Sequence, residues 1–307
     1  MDARTLRYFV GIADSGSFSR AAERLHVAQP GLSLQMRKLE AELGVSLFGR
    51  SSKGVVLTEE GERLLGHART ILGQLQAARE DLRAGAAEPI GAVVLGMPQS
   101  LAASLVVPLV REVLSRWPRI ALRVVDVNTG YIPEWLRTGH LDLGLVFRAE
   151  PGQGVEFREL LREELVLVGP PDHAAERTEI TLSEVSRLPL LLPSRRHSLR
   201  ELSEAYARRH AVELSVIAEV DSMPQLRDLA ITGVGYTILS YASVRTEIDG
   251  GRLCGLRIVD PVLLRSCYLS RSSSSPRTRP VETLERAIRQ TAVALAEAGQ
   301  WPGGLIP

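Results

Sequence analysis

The sequence predicts an α/β fold class, with an all-α module at the N-terminus and a long helix joining it to the α/β part. Three observations predict this. Short apolar stripes at helical spacing fill the first 45 residues. A helical pattern then runs from Thr58 without a proline until Pro89. Beyond Pro89, strand-like apolar runs alternate with helical stretches, which is typical of parallel sheets with crossover helices.

Three short helices are predicted in the N-terminal module. The first covers residues 4–15, and the second begins after Ser17, a favourable N-cap. Pro30 suits the first turn of the third helix, because proline lacks the donor that is unpaired there, and Gly44 ends it. The few residues between the second and third helices make the tight connection of a helix-turn-helix. Its buried stripes are Phe18, Ala21, Ala22, Leu25, Leu32, Met36, Leu39 and Leu43.

The third helix has a polar outer face. Gln29, Ser33 and Arg37 recur every four residues, with Lys38 alongside. Amide and guanidinium groups read base edges in a major groove, whereas hydroxyl and ammonium groups bind bases or phosphate. A basic hairpin, or wing, is predicted after Phe48, and its Arg50 and Lys53 would contact the DNA backbone or enter the minor groove.

The first 65 residues resemble the winged helix-turn-helix of the LysR-type transcriptional regulators. Several motifs carry the resemblance in a fixed order: LRYF at 6–9, GSFSRAA at 16–22, VAQPGLS at 27–33, LEAELG at 39–44, LFGR at 47–50 and VLT at 56–58. A helix-turn-helix that never binds DNA is the alternative, and the ordered motifs favour DNA binding.

The resemblance also implies roles for individual residues. Gln29, Pro30, Ser33 and Lys38 would lie in the groove, with Arg50 and Lys53 in the wing. Leu34 stands where a polar or basic residue is frequent in the family, and a contact with a thymine methyl group could replace base readout there.

Residues 59–88 are expected to form a linker and dimerisation helix after a DNA-binding domain at 1–58. Thr58 can cap it, and a heptad spacing predicts the seam of a coiled coil. At about 1.5 Å per residue the helix would span roughly 40 Å, enough to pair two chains. A helix packed against its own domain would show a similar apolar stripe, which is the alternative to a coiled coil. The seam positions are Leu57, Gly61, Leu64, Ala68, Ile71, Leu75, Ala78 and Leu82.

Residues 89–307 resemble the effector-binding domain of the same family, which is similar to the two-lobed periplasmic binding proteins. The first lobe is expected at 89–162 and 268–307 and the second at 163–267, with two crossovers acting as a hinge. The last residues, from Trp301, are expected to be frayed.

Ligands of such two-lobed domains bind outside the carboxyl ends of the strands, where helix N-termini favour an anion. Partly by resemblance, the expected effector-binding residues are Gln99, Ser100, Thr129, Phe147, Arg148 and Ser194.

Composition excludes several classes of protein. Hydrophobic residues make up 45% and charged residues 24%, which are globular values, and the net charge is +1. Neither a leader nor a membrane-spanning run is evident, so a cytoplasmic protein is expected.

Cys254 and Cys267 show no redox or zinc spacing, and the six histidines show no metal-ligand spacing. Some members of the family use a redox-sensing disulfide, but buried thiols are expected here.

The leading hypothesis is an effector-responsive transcriptional regulator that acts as a homodimer or homotetramer on double-stranded DNA with an interrupted inverted repeat. Its effector would be a small carboxylate or other anion, and RNA polymerase is a further expected partner. The alternative is a two-lobed small-molecule binding protein without regulatory DNA binding. An enzyme is not expected, because no nucleophile with a base, paired carboxylates or metal set is evident, and no cofactor is expected either.

Overall fold

A computed structural model of the chain describes residues 1–51, 54–82, 88–150, 152, 154–171 and 177–305. The N-terminal module contains three helices, α1 (Ala3–Ser15), α2 (Phe18–Leu25) and α3 (Gln29–Leu43), followed by the antiparallel hairpin β1 (Phe48–Ser51) and β2 (Gly54–Leu57). The residues predicted to begin and end these helices are confirmed. The Ser17 side chain caps α2, Pro30 lies in the first turn of α3, and Gly44 ends α3 in a left-handed conformation.

The linker helix is α4 (Glu59–Leu82), and the Thr58 hydroxyl accepts a hydrogen bond from the Gly61 amide at 3.0 Å. The predicted seam is wrong for its first half. Gly61 faces the backbone of Leu47, and Ala68 is fully buried in the core of the N-terminal module. Ile71 and Leu75 are exposed, so a seam between two chains remains a prediction only for the second half of α4.

The region beyond the linker alternates strands and helices as predicted. The elements are β3 (Gly91–Met97), α5 (Gln99–Arg116), β4 (Ile120–Asp126), α6 (Ile132–Arg137), β5 (Leu143–Val146), β6 (Val155–Gly169), β7 (Glu179–Thr181), α7 (Leu182–Val185), β8 (Leu190–Leu192), α8 (Ser198–Arg209), β9 (Val216–Glu219), α9 (Met223–Ile231), β10 (Thr237–Ser240), α10 (Tyr241–Asp249), β11 (Cys254–Val259), β12 (Leu264–Ser272), α11 (Arg279–Glu297) and β13 (Gly303–Leu305).

Two lobes share the long strand β6. Its N-terminal part pairs with β12, beside β5, β3 and β4, and these strands form the first lobe. From Leu165 onward it pairs with β10 and β11 of the second lobe, which also contains β7, β8 and β9. The prediction of parallel pairing is confirmed for β3 with β4 and β5, and for β8 with β9. It is wrong for β6, which runs antiparallel to β10, β11, β12 and β13, and for β12, which also runs antiparallel to β5.

The C-terminal segment is packed rather than frayed. Trp301 is 1% exposed within the core of the first lobe, and β13 pairs with β6. The expectation failed because Pro302, Gly303 and Gly304 suggest a loop, whereas the strand pairing and the buried indole hold them in place. In the described part of the chain no helix is long and apolar enough to cross a membrane.

Candidate DNA-binding surface and interlobe cleft

The outer face of α3 presents polar side chains to solvent. Its inner face buries Leu32, Met36 and Leu39 in the module core. On the outer face Ser33 is partly buried, and the other predicted groove residues are exposed: Gln29, Pro30, Leu34, Arg37 and Lys38. Within the described part of the chain, no hydrogen bond or ion pair involves the side chains of Gln29, Arg37 or Lys38. These predicted groove residues therefore lie on one side of a helix whose opposite side is packed into the module core.

The wing is fixed beside α3 by several contacts. The Glu40 carboxylate, on α3, accepts a hydrogen bond from the Leu47 amide at 2.8 Å. The Phe48 ring packs against Phe9 and Phe18, with centroids 5.3 and 5.5 Å away. Arg50 belongs to β1 and pairs with Val55 in the backbone. The Arg50 side chain and the whole of Lys53 lie outside the described residues, so their predicted contacts remain predictions.

The two lobes enclose a cavity of about 170 Å³ outside the carboxyl ends of β4, β5 and β9, and we call it the cleft cavity. Four of the six predicted effector residues line it: Gln99, Ser100, Thr129 and Phe147. The remaining lining residues include Pro98, Asp126, Asn128, His197, Ser198, Asp221 and Met223.

Two predicted effector residues lie elsewhere. Ser194 does not line the cleft cavity, and its amide donates to the Asp221 carboxylate at 2.8 Å. Arg148 lines a separate cavity on the other side of Phe147 and forms an ion pair with Glu150. Both predictions placed the functional residue directly after a strand. In the second lobe, however, α8 starts four residues later, so His197 and Ser198 reach the cavity instead of Ser194.

Helix N-termini from both lobes point at the cleft cavity. Neither α5 nor α9 has a side chain that caps its N-terminus, although Gln99, Ser100 and Met223 at these ends line the cavity. Uncapped N-termini offer free N–H groups and a partial positive charge. His197 caps α8 through its Nδ1, which accepts from the Leu199 amide at 3.2 Å. Burial, followed by the charge of Arg265, lowers the pKa of His197, which favours a neutral imidazole.

A second cavity of about 350 Å³, the side cavity, shares Gln99, Ser100, Asp126 and Met223 with the cleft cavity. Its other walls are mostly apolar, apart from Arg227 and Ser243. They are formed by Ala102, Ala103, Pro224, Leu239 and Val244. A ligand anchored in the cleft cavity could therefore extend an apolar group into the side cavity.

A buried ionic cluster joins the lobes behind Phe147. The Glu163 carboxylate accepts hydrogen bonds from Arg265 Nε at 2.7 Å, Ser240 Oγ at 2.7 Å and Trp301 Nε1 at 2.9 Å. The Arg265 guanidinium in turn lies 3.5 Å from the centre of the Phe147 ring. Because Glu163 and Arg265 belong to the two strands that cross between lobes, this cluster connects the cavity wall to the hinge.

Family models match two parts of the chain. The "bacterial regulatory helix-turn-helix protein, lysR family" model matches residues 3–62, and the "LysR substrate binding domain" model matches residues 86–293. The chain belongs to the LysR family. The first match contains α3 and the wing, and the second contains every residue of the cleft cavity.

Full-length relatives show the same organisation. The chain is 32% identical over 304 residues to the HTH-type transcriptional regulator BbuR of Bordetella bronchiseptica, covering 99% of this chain and 94% of that protein. It is also 32% identical to the nitrogen assimilation regulatory protein nac of Escherichia coli, covering 98% and 99%. The solved structure of a full-length OxyR cysteine variant from Pseudomonas aeruginosa superposes with a TM-score of 0.79 at 29% identity, covering 94% and 98%. This LysR-type chain is therefore a DNA-binding transcriptional regulator with an effector-binding domain.

The two cysteines of this LysR-type regulator are buried and free. Burial raises the pKa of both thiols, and the nearby Glu163 carboxylate raises that of Cys267 further. The expectation of buried thiols is therefore confirmed. Thiols with a raised pKa are poor nucleophiles, so a redox-sensing disulfide between these two is not supported. Among the described residues no cluster of three or more metal-ligating side chains could hold a metal ion.

Proposed function

We propose that this LysR-type regulator places α3 in the major groove of an interrupted inverted repeat, as a homodimer or homotetramer. The observation that carries the proposal is the exposed outer face of α3, where Gln29, Ser33, Arg37 and Lys38 lie above a rigid apolar base. A two-fold symmetric dimer requires two half-sites related by a dyad. Arg50 and Lys53 would contact the DNA backbone from the wing. Leu34 would contact a thymine methyl group, and Pro30 would contact the wall of the groove. RNA polymerase is the partner through which such binding would act.

The effector is proposed to bind in the cleft cavity through a carboxylate or similar anionic group. The uncapped N-termini of α5 and α9 support this, because free N–H groups and the helix dipole favour negative charge. Ser100, Gln99, Thr129 and Phe147 would contact the ligand, and closure of the lobes would alter the spacing of the DNA-bound modules. Arg148 and Ser194 would support the walls from outside.

DNase I footprinting upstream of the protein's own gene tests the DNA-binding proposal. We expect protection of two half-sites with dyad symmetry, their centres separated by one or more helical turns of about 10 base pairs. An absence of protection, or uniform protection along the fragment, would refute it.

The effector site has its own test. Calorimetric titration of a metabolite panel against wild type and Ser100→Ala should identify a ligand that the variant binds at least about tenfold more weakly, a difference of about 1.4 kcal/mol. Ser100 would be only a structural residue of α5 if the variant bound that ligand as tightly as wild type.

A further inference from the structure

Two carboxylates line the cleft cavity, one from each lobe. Asp126 ends β4 in the first lobe, and Asp221 follows β9 in the second. No arginine or lysine lines this cavity in the described part of the chain. The basic side chain among these lining residues is His197, whose lowered pKa favours the neutral imidazole. The side chains therefore give the cavity wall a negative charge, which disfavours a simple anion.

Both carboxylates have acceptor sites available to a ligand. Asp126 is exposed, and within the described residues its side chain makes no hydrogen bond or ion pair. Asp221 accepts the Ser194 amide at Oδ1, and hydrogen bonding to Ser194 lowers the pKa of Asp221, so this carboxylate stays charged. A carboxylate has about four lone-pair sites, and Ser194 does not fill them. A cationic group between the two aspartates would satisfy both.

The same cavity also contains a hydrogen-bond donor, the Ser100 hydroxyl, which suits a negatively charged group. Ser100 is 8% exposed and lines both the cleft cavity and the side cavity, yet its hydroxyl has no hydrogen-bond partner among the described residues. It lies in the first turn of α5, whose N-terminus has no side-chain cap. The Ser100 hydroxyl reaches the cavity and has a proton to donate, so this wall fits a negatively charged acceptor.

We propose that the effector is a zwitterion, an α-amino acid, and this inference rests on the effector site proposed above. Its ammonium group would donate to Asp126 and Asp221, while its carboxylate would accept from Ser100 and the free amides of α5. The side chain would occupy the apolar side cavity.

The same arrangement couples binding to lobe closure. Asp126 and Asp221 belong to different lobes and carry like charges, so bringing them together without a ligand is unfavourable. An ammonium group between them converts the repulsion into attraction. An anion without an amino group would not do this, and an amine without a carboxylate would lack the anchor at the N-terminus of α5.

Isothermal titration of the full-length protein with the twenty protein α-amino acids tests the inference. Each binder is compared with the acid that lacks its amino group and the amine that lacks its carboxylate. We expect at least one amino acid to bind, with both analogues at least about tenfold weaker. Asp126→Asn should weaken binding of the amino acid about tenfold and should not weaken binding of the acid, since the change removes a negative charge from the cavity wall. Asp249→Asn, which removes an exposed carboxylate on α10 outside the cavity, should have no effect.

Three results would overturn the inference: no binding by any amino acid, an acid that binds as tightly as its amino acid, or full affinity in Asp126→Asn. The second and third leave the cleft cavity standing as an effector site if Ser100→Ala still weakens binding of that ligand. Failure of the DNA-binding proposal shows itself separately, as a missing footprint beside normal amino-acid binding.

Discussion

At the scale of single residues, His140 marks the place where the N-terminal module meets the first lobe. Its Nδ1 lies 2.8 Å from the Thr138 hydroxyl. Nearby, Arg69 of α4 forms an ion pair with Asp14 of α1 at 2.7 Å. Burial, and then the charge of Arg69, lower the pKa of His140 from 6.5 to about 4. His140 is therefore neutral at physiological pH.

The lowered pKa of His140 predicts a pH dependence of stability with a definite sign. In the unfolded chain His140 takes up a proton near pH 6.5, whereas in the folded chain it does so only near pH 4. Its contribution is therefore complete above pH 6.5 and is lost as the pH falls toward 4. We expect His140→Gln to reduce the loss of unfolding free energy between about pH 7 and pH 5, measured by urea denaturation. Parallel pH profiles for the two proteins would contradict the assignment.

Sequence patterns predicted the exposed face of α3 better than the lining of the cleft cavity. Gln29, Ser33 and Arg37 follow from helical spacing alone, because Pro30 marks the first turn of α3 and Gly44 its end. The cleft depends on residues far apart in the chain, and small shifts in a helix start decide which side chain reaches it. This is why Ser194 was predicted and His197 and Ser198 were missed. The Glu163–Arg265–Trp301 cluster could not be predicted, since its members lie far apart in the chain and only the folded sheet brings them together.

At the scale of elements, β6 and β12 are the two connections between the lobes, and Glu163 with Arg265 is the buried contact between them. Their side chains are 1% and 3% exposed. The adjacent Glu164 instead pairs with Arg257, whose side chain is 46% exposed. Neighbouring glutamates on one strand thus form a buried and an exposed ion pair.

The buried Glu163–Arg265 pair and the exposed Glu164–Arg257 pair can be compared by their contributions to the free energy of unfolding. Glu163→Gln leaves the buried Arg265 without its counter-ion and should lower the free energy of unfolding by about 3–5 kcal/mol. Glu164→Gln should cost about 1 kcal/mol or less, because solvent screens the Arg257 pair. Denaturant unfolding of both variants measures the difference. Similar losses would mean that the Glu163 pair contributes no more than a surface ion pair.

At the scale of the whole molecule, we predict that assembly depends on the part of α4 that the chain's own module leaves uncovered. Ile71 is 36% exposed and Leu75 is 41% exposed. Leu75→Glu should give monomers with weak DNA binding and a folded N-terminal module, since a charge buried against its symmetry mate costs several kcal/mol. Gln74→Glu adds the same charge one residue away and should leave the oligomer unchanged. Sedimentation velocity distinguishes the two, and a Leu75→Glu variant that sediments like wild type would place the interface elsewhere.

The most direct test of the central claim compares Ser33→Ala and Lys38→Ala on cognate and random duplexes over a range of salt concentrations. If α3 reads bases with Ser33, that variant should lose about 1–3 kcal/mol of binding free energy on the cognate duplex only. Lys38→Ala should weaken binding to both duplexes alike and lower the salt slope by about one unit per half-site, because it removes a phosphate contact. Equal losses on cognate and random DNA for Ser33→Ala would contradict the assignment of the outer face of α3 as the reading surface.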